Sequence, residues 1–129
     1  MKLFPKKNNH ALSGDLTVYE LTESMKKTER AVEKLFLKHG FIAVTVKSAQ
    51  NKSDIPCYCL GDVYCRIGFM KNYTDKKELK DWVLIEYAGS CHDAARRLFE
   101  DGDAVPLDLP LDNILFYLEK EITANMPPA

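Results

Sequence analysis

The chain has 129 residues, 46% of them hydrophobic and 29% charged, and its formal net charge is −1. That length suits one domain, because single cores commonly span roughly 100–200 residues. The apolar share is too large and the net charge too small for a disordered chain, and no apolar run approaches the roughly 18 residues of a membrane span. The start, Met1-Lys-Leu-Phe-Pro-Lys-Lys-Asn-Asn, is basic but lacks the apolar stretch of a secretory signal. A cytoplasmic chain is therefore expected, with free, reduced thiols at Cys57, Cys59, Cys65 and Cys91.

The near-neutral total hides an asymmetry. Residues 1–80 carry 13 Lys and 2 Arg against 9 acids, a net of +6, and residues 81–129 carry 1 Lys and 2 Arg against 10 acids, a net of −7. Either the two signs cancel by packing together, or they form separate fields that steer partners.

In chain order, residues 1–14 form an N-terminal arm with Pro5, Gly14 and three lysines, and residues 15–129 form the domain. Leu16–Leu21 alternates like a short strand but also fits the opening of a helix. From Thr22 or Ser24 as N-cap to a stop at Gly40, an amphipathic helix is expected, with Met25, Val32, Leu35, Phe36 and His39 on its inner side. Phe41–Lys47 reads as a strand, with Ile42, Val44 and Val46 on one face. A polar loop through Asn51, Ser53, Asp54 and Pro56 follows. Cys57–Leu60 and Val63–Phe69 then flank Gly61-Asp62, the pattern of a tight hairpin in which Leu60 opposes Val63, Cys59 opposes Tyr64 and Tyr58 opposes Cys65. A lysine-rich connection from Lys71 to Asp81, with one helical turn opened by Thr74, leads to a strand at Trp82–Tyr87. Ser90 and Asp93 imitate a capping box for a helix ending near Gly102, with Ala94, Ala95, Leu98 and Phe99 inward. The last helix is expected from about Leu109 to Ala124, capped by Asp108, with Leu111, Ile114, Leu115, Leu118 and Ile122 as its stripe. The fold class is α+β: a single domain with an antiparallel meander of three to five strands against an N-terminal helix and two C-terminal helices.

Few groupings carry chemistry. Cys57-x-Cys59 lies on a strand and no second closely spaced pair exists, so the cysteines read as core thiols and no metal is expected. Cys91 and His92 are adjacent at a helix start and point about 100° apart, which disfavours a thiol–imidazole pair. His10 and His39 belong to no nucleophile–base grouping. Lys71, Lys76, Lys77 and Lys80 crowd around Tyr73, but Asp75, Glu78 and Asp81 dilute them, so nucleic-acid binding is disfavoured. No catalytic residue and no cofactor are assigned. The densest acidic stretch, Glu100-Asp101-Gly102-Asp103 followed by Asp108, lacks the alternation of a calcium loop. It serves either as helix punctuation or as an acidic surface formed by Glu100, Asp101, Asp103 and Asp108 that docks a basic partner.

The whole chain resembles the small cytosolic immunity proteins that accompany bacterial polymorphic or contact-dependent toxins. The resemblance rests on size, on helix–sheet–helix order, and on Phe99-Glu-Asp-Gly-Asp-Ala-Val-Pro-Leu107 leading into Leu111–Ile122. It implies a non-catalytic protein that binds a cognate toxin and blocks its active site. The near-neutral total charge departs from the strongly acidic inhibitors of nuclease toxins. Two other readings stand beside it. One is a small-molecule binder or small enzyme with a pocket between sheet and helices, walled by Tyr58, Tyr64, Cys65, Arg66 or Trp82. The other is a homodimer joined through an exposed sheet face.

Overall fold

The computed structural model describes residues 21–128. The arm at 1–14 and all of Leu16–Leu21 except its last residue lie outside the described residues. The first helix, α1 (Glu23–Lys38), begins where Thr22 accepts the Met25 N–H at 3.2 Å on its hydroxyl. Its buried residues, Met25, Thr28, Val32 and Phe36, recur at three- and four-residue intervals on one face. The backbone leaves the helix through Gly40, at φ +89°. His39 is not core: its ring reaches Glu119 at 2.7 Å.

Four strands follow as an antiparallel meander: β1 (Ile42–Lys47), β2 (Asp54–Leu60), β3 (Val63–Tyr73) and β4 (Leu79–Ala88). The β2–β3 hairpin has the register expected from its turn, with Leu60 opposite Val63, Cys59 opposite Tyr64 and Tyr58 opposite Cys65. Gly61 supplies the positive φ of +58°. Two strands run further than their apolar content suggests. β2 starts at Asp54 and takes in Pro56, because β3 pairs only with its last three residues and Pro56 has β1 alone beside it. The segment Lys71–Asp81 is not a helical turn but the far end of a long hairpin. Lys71 faces Asp81 and Tyr73 faces Leu79, and the chain turns where Thr74 N–H meets Glu78 O at 2.9 Å. Cross-strand pairing, including Lys71 to Asp81 at 2.8 Å, extends a ladder whose side chains stay largely in water.

The second helix, α2 (Cys91–Ala95), has only five residues. Ser90 caps it as expected, accepting the Asp93 N–H at 3.0 Å. It stops at Arg96, and Arg97 turns into the left-handed region at φ +59°. Leu98 is left exposed, and Glu100 and Asp101 become an edge strand rather than a helix end. This strand, β5 (Glu100–Asp101), and β6 (Val105–Pro106) both pair with β4. Asp101 faces Glu86 and Val105 faces Val83, so three residues, 102–104, oppose two, 84–85, which makes a one-residue bulge. The sheet therefore has six strands, the last two drawn from the acidic segment. The final helix, α3 (Leu111–Ala124), starts at Pro110 without a side-chain cap.

One sheet face packs against α1 and α3 through Cys65, Phe69, Val83 and Ile85, meeting Val32, Phe36, Ile114, Leu118 and Ile122. Tyr58 stacks on Phe36 with ring centroids 4.6 Å apart. The opposite face is not open. Val46, Ile55, Cys57 and Ala88 meet Ala94 of α2, and Met70, Trp82, Leu84 and Ala104 form a further buried cluster. Among the described residues, no helix is long and apolar enough to cross a membrane.

Candidate functional site

The four acidic residues singled out from the sequence do not all come together. Asp108 lies beside Lys80, with 2.6 Å between carboxylate and ammonium. Lys80 and Tyr87 are at opposite ends of β4, roughly 23 Å apart at the rise of an extended strand. Glu100, Asp101 and Asp103 stay together at the Tyr87 end, because β5 pairs there and the bulge carries Asp103 along the same edge. Glu100 is exposed, whereas Asp101 and Asp103 are half-buried. Glu121, reaching from α3, accepts the backbone N–H of Asp103.

Beside this edge the structure opens a cleft of about 320 Å³, lined by Val63, Tyr87, Ala88, Gly89, Asp93, Leu98, Glu100 and Asn125. Three elements build it. β4 supplies Tyr87 on the face toward α3, α3 ends at its C-cap Asn125, and the chain from α2 into β5 brings Asp93, Leu98 and Glu100. The volume lies at the small end of ligand sites, enough for one extended side chain or a small molecule. Among the described residues, two carboxylates line it and no Lys, Arg or His does. The last turn of α3 holds no basic residue, so the negative end of its dipole is uncompensated on this side.

Tyr87 is the distinctive group. Its hydroxyl oxygen is sealed from solvent. The Asn125 side-chain amide, which donates to Glu121 O at 2.8 Å, lies beside the phenol and opposes the rise of its pKa through a side-chain hydrogen bond. Burial holds the phenol well above its ordinary range, and the carboxylates of Glu121 and Asp103 push the same way, so the hydroxyl stays protonated. Nothing in the sequence marks this tyrosine, which sits in an apolar run and reads as core. Asp93 reads as a capping residue and Asn125 as the tail of a helix.

The residues expected to wall a pocket between sheet and helices are committed to packing instead. Tyr58 donates to Glu33 at 2.9 Å. Arg66 meets the buried Glu86 at 2.9 Å and lies 4.0 Å over the Phe99 ring. The Trp82 indole N–H donates to Asn72 O at 3.2 Å.

The four thiols are free. Burial pushes Cys65 up to about 12 and Cys57 up to about 11, the latter against the opposing pull of Arg66. The fold does join two cysteines that sequence spacing separates. Tyr64 lies opposite Cys59 on β2 and Ala88 on β4, and the neighbouring Cys59 and Cys91 thiols raise the pKa of its phenol above the ordinary value. His92 does not pair with Cys91; its ring faces the Arg96 guanidinium at 3.5 Å. Among the described residues, no three His, Cys, Asp or Glu side chains converge as a metal site.

Compared with protein-family models, with curated proteins and with solved structures, the chain has no match in any of the three.

Proposed function

We propose that the chain is a non-catalytic partner-binding protein, an immunity-type inhibitor that acts in the cytoplasm by docking on a cognate toxin domain of basic surface. The observation that carries this reading is the gathering of Asp93, Glu100, Asp101, Asp103 and Glu121 around one end of β4, next to a cleft that no Lys, Arg or His among the described residues lines. Such a field raises the rate of encounter with a positively charged surface and disfavours acidic partners. The reading also draws on the resemblance in element order and in the acidic segment leading into the last helix. It no longer draws on Asp108, whose ion pair with Lys80 belongs to the other end of the sheet.

The test is co-expression with the protein encoded by the neighbouring reading frame. Growth of cells producing that protein should be restored by this chain, and the purified pair should form a stable complex. The double variant Asp101→Lys, Asp103→Lys, checked by thermal melting for a retained fold, should slow association by about tenfold at low salt and less at high salt. An on-rate that ignores the reversal removes the acidic edge from the interface. Failure of the neighbouring product to bind at all removes the inhibitor reading.

A further inference from the structure

We propose that β1 is a dimerisation edge: two copies of this chain pair their β1 strands antiparallel about a two-fold axis at Val44, joining their sheets into one. β1 ends the sheet, and among the described residues it pairs with β2 alone. Its outer side therefore presents a row of backbone N–H and C=O groups that fits an extended strand. The two edges of this sheet are built differently. The far edge is broken into β5 and β6, of two residues each, with a bulge between them and Pro106 in the second. Short strands, bulges and proline are common guards against edge pairing. β1 has none of them. Its pairing with β2 runs unbroken from Ile42 to Lys47. Residues 42–46 hold no charge, proline or glycine.

The strand's own sequence selects a second copy as the occupant. Side chains alternate between the two faces, so a pairing centred on a residue keeps matching faces together. Centred on Val44, it sets Ile42 against the partner subunit's Val46, on the face where Val44 and Val46 pack with Cys57 and Ala94. Ile42 is 60% exposed in one copy, and this pairing gives it an apolar neighbour. On the other face Ala43 meets the partner subunit's Thr45. A centre at Thr45 would leave Ile42 out of the ladder and lay Lys47 against Ala43, and a centre at Ala43 would keep only residues 42–44 of the strand. The one charge of the strand, Lys47, is bonded to Asp54 within its own copy, so no like charges meet across the axis. Two short strands bury little area, which places the dimer at the weak end of specific interfaces. The inference does not depend on the preceding reading, because the acidic segment lies at the opposite edge of the sheet.

Sedimentation velocity of the full-length chain should show a dimer that grows with concentration across the micromolar range. Hydrogen exchange should show the β1 amides gaining protection over the same range. Ala43→Lys with Thr45→Lys sets like charges opposite one another twice across the axis, and should weaken the dimer by about tenfold at low salt. Ala43→Lys with Thr45→Glu sets opposite charges at the same positions and should restore it. Both residues are exposed, so each variant should keep the monomer fold, which thermal melting checks. Ile42→Lys, at another exposed position, should leave only monomer. A chain that stays monomeric up to about 1 mM, where binding is too weak to be specific, overturns the proposal. Equal dimerisation of the Lys–Lys and Lys–Glu variants overturns it as well, and so does a dimer whose β1 amides stay unprotected. Protection of β1 that is complete at every concentration means that the same chain closes its own edge, and this too defeats the dimer. Binding of the neighbouring gene product bears on the inhibitor reading alone.

Discussion

Gly102 shows how one residue acquires its role from what surrounds it. Its N–H donates to Ile85 O at 2.8 Å inside the bulge, and α3 passes directly over it. A Cβ added there would come 2.6 Å from a Glu121 carboxylate oxygen and 2.9 Å from the Ile85 carbonyl oxygen. The carboxylate can swing aside, but the backbone carbonyl belongs to a central strand and cannot. Gly102→Ala should therefore cost about 2 kcal/mol, the usual range for overpacking a tight site, and lower the midpoint of denaturant unfolding accordingly. Gly89→Ala is the control, since nothing lies within 4 Å of its added Cβ, and its midpoint should move little. From the sequence, Gly102 reads as a helix stop. The residue type was informative, and the reason for it was not, because close approach between β4 and α3 depends on contacts distant along the chain.

At the scale of elements, local signals succeeded where a segment's own chemistry decides its conformation. Thr22 caps α1 and Ser90 caps α2, because a side-chain oxygen satisfies an N–H three residues on wherever the helix later packs. Thr22→Ala should lower stability by about 1 kcal/mol, measurable by thermal melting with a matching loss of helical circular dichroism. The Gly61-Asp62 hairpin was legible for the same reason, since its two-residue turn sets the register of β2 and β3. Segments that depend on a neighbour were misread. Lys71–Lys80 lacks an apolar stripe, yet it pairs with itself across a long hairpin. Leu98–Asp101 resembles the end of a helix, yet the open edge of β4 recruits Glu100 and Asp101 as a strand. An unpaired edge offers backbone partners to any nearby chain, and two residues of pairing outweigh the weak helical preference of this stretch.

Across the whole molecule, the two oppositely charged halves of the sequence are partly folded onto one another. Lys38 meets Glu119 at 2.9 Å, Lys71 meets Asp81 at 2.8 Å, Arg66 meets Glu86 at 2.9 Å and Lys80 meets Asp108 at 2.6 Å. Glu119 clasps α1 to α3 through both Lys38 and His39. The Lys38 hydrogen bond, followed by that of His39, holds its carboxyl below the ordinary value of 4.5. A carboxyl whose pKa is depressed by folding contributes its full stabilisation above the unfolded value and loses it as pH falls through the folded value. Wild type should thus lose more stability than Glu119→Gln as pH is lowered from about 5, and the two curves should converge in acid. Denaturant midpoints measured between pH 7 and pH 3 check this. The pair is exposed to solvent, so added salt should narrow the gap.

The sequence by itself determined the α+β class, the amphipathic faces of α1 and α3, two helix caps and one hairpin register. Each follows from periodicity or from hydrogen bonds spanning a few residues, which any fold containing the segment would keep. Only the tertiary structure decided which acids share a surface, that Asp108 leaves the group, and that Tyr87, Asn125 and Asp93 enclose a cleft. It also decided that Cys59 and Cys91 both act on the phenol of Tyr64. These arrangements join residues from different elements, as far apart as Tyr87 and Asn125, and their distances are set by strand pairing along β4 and by the seat of α3 on the sheet. No local pattern encodes where a sheet edge will find its last strand.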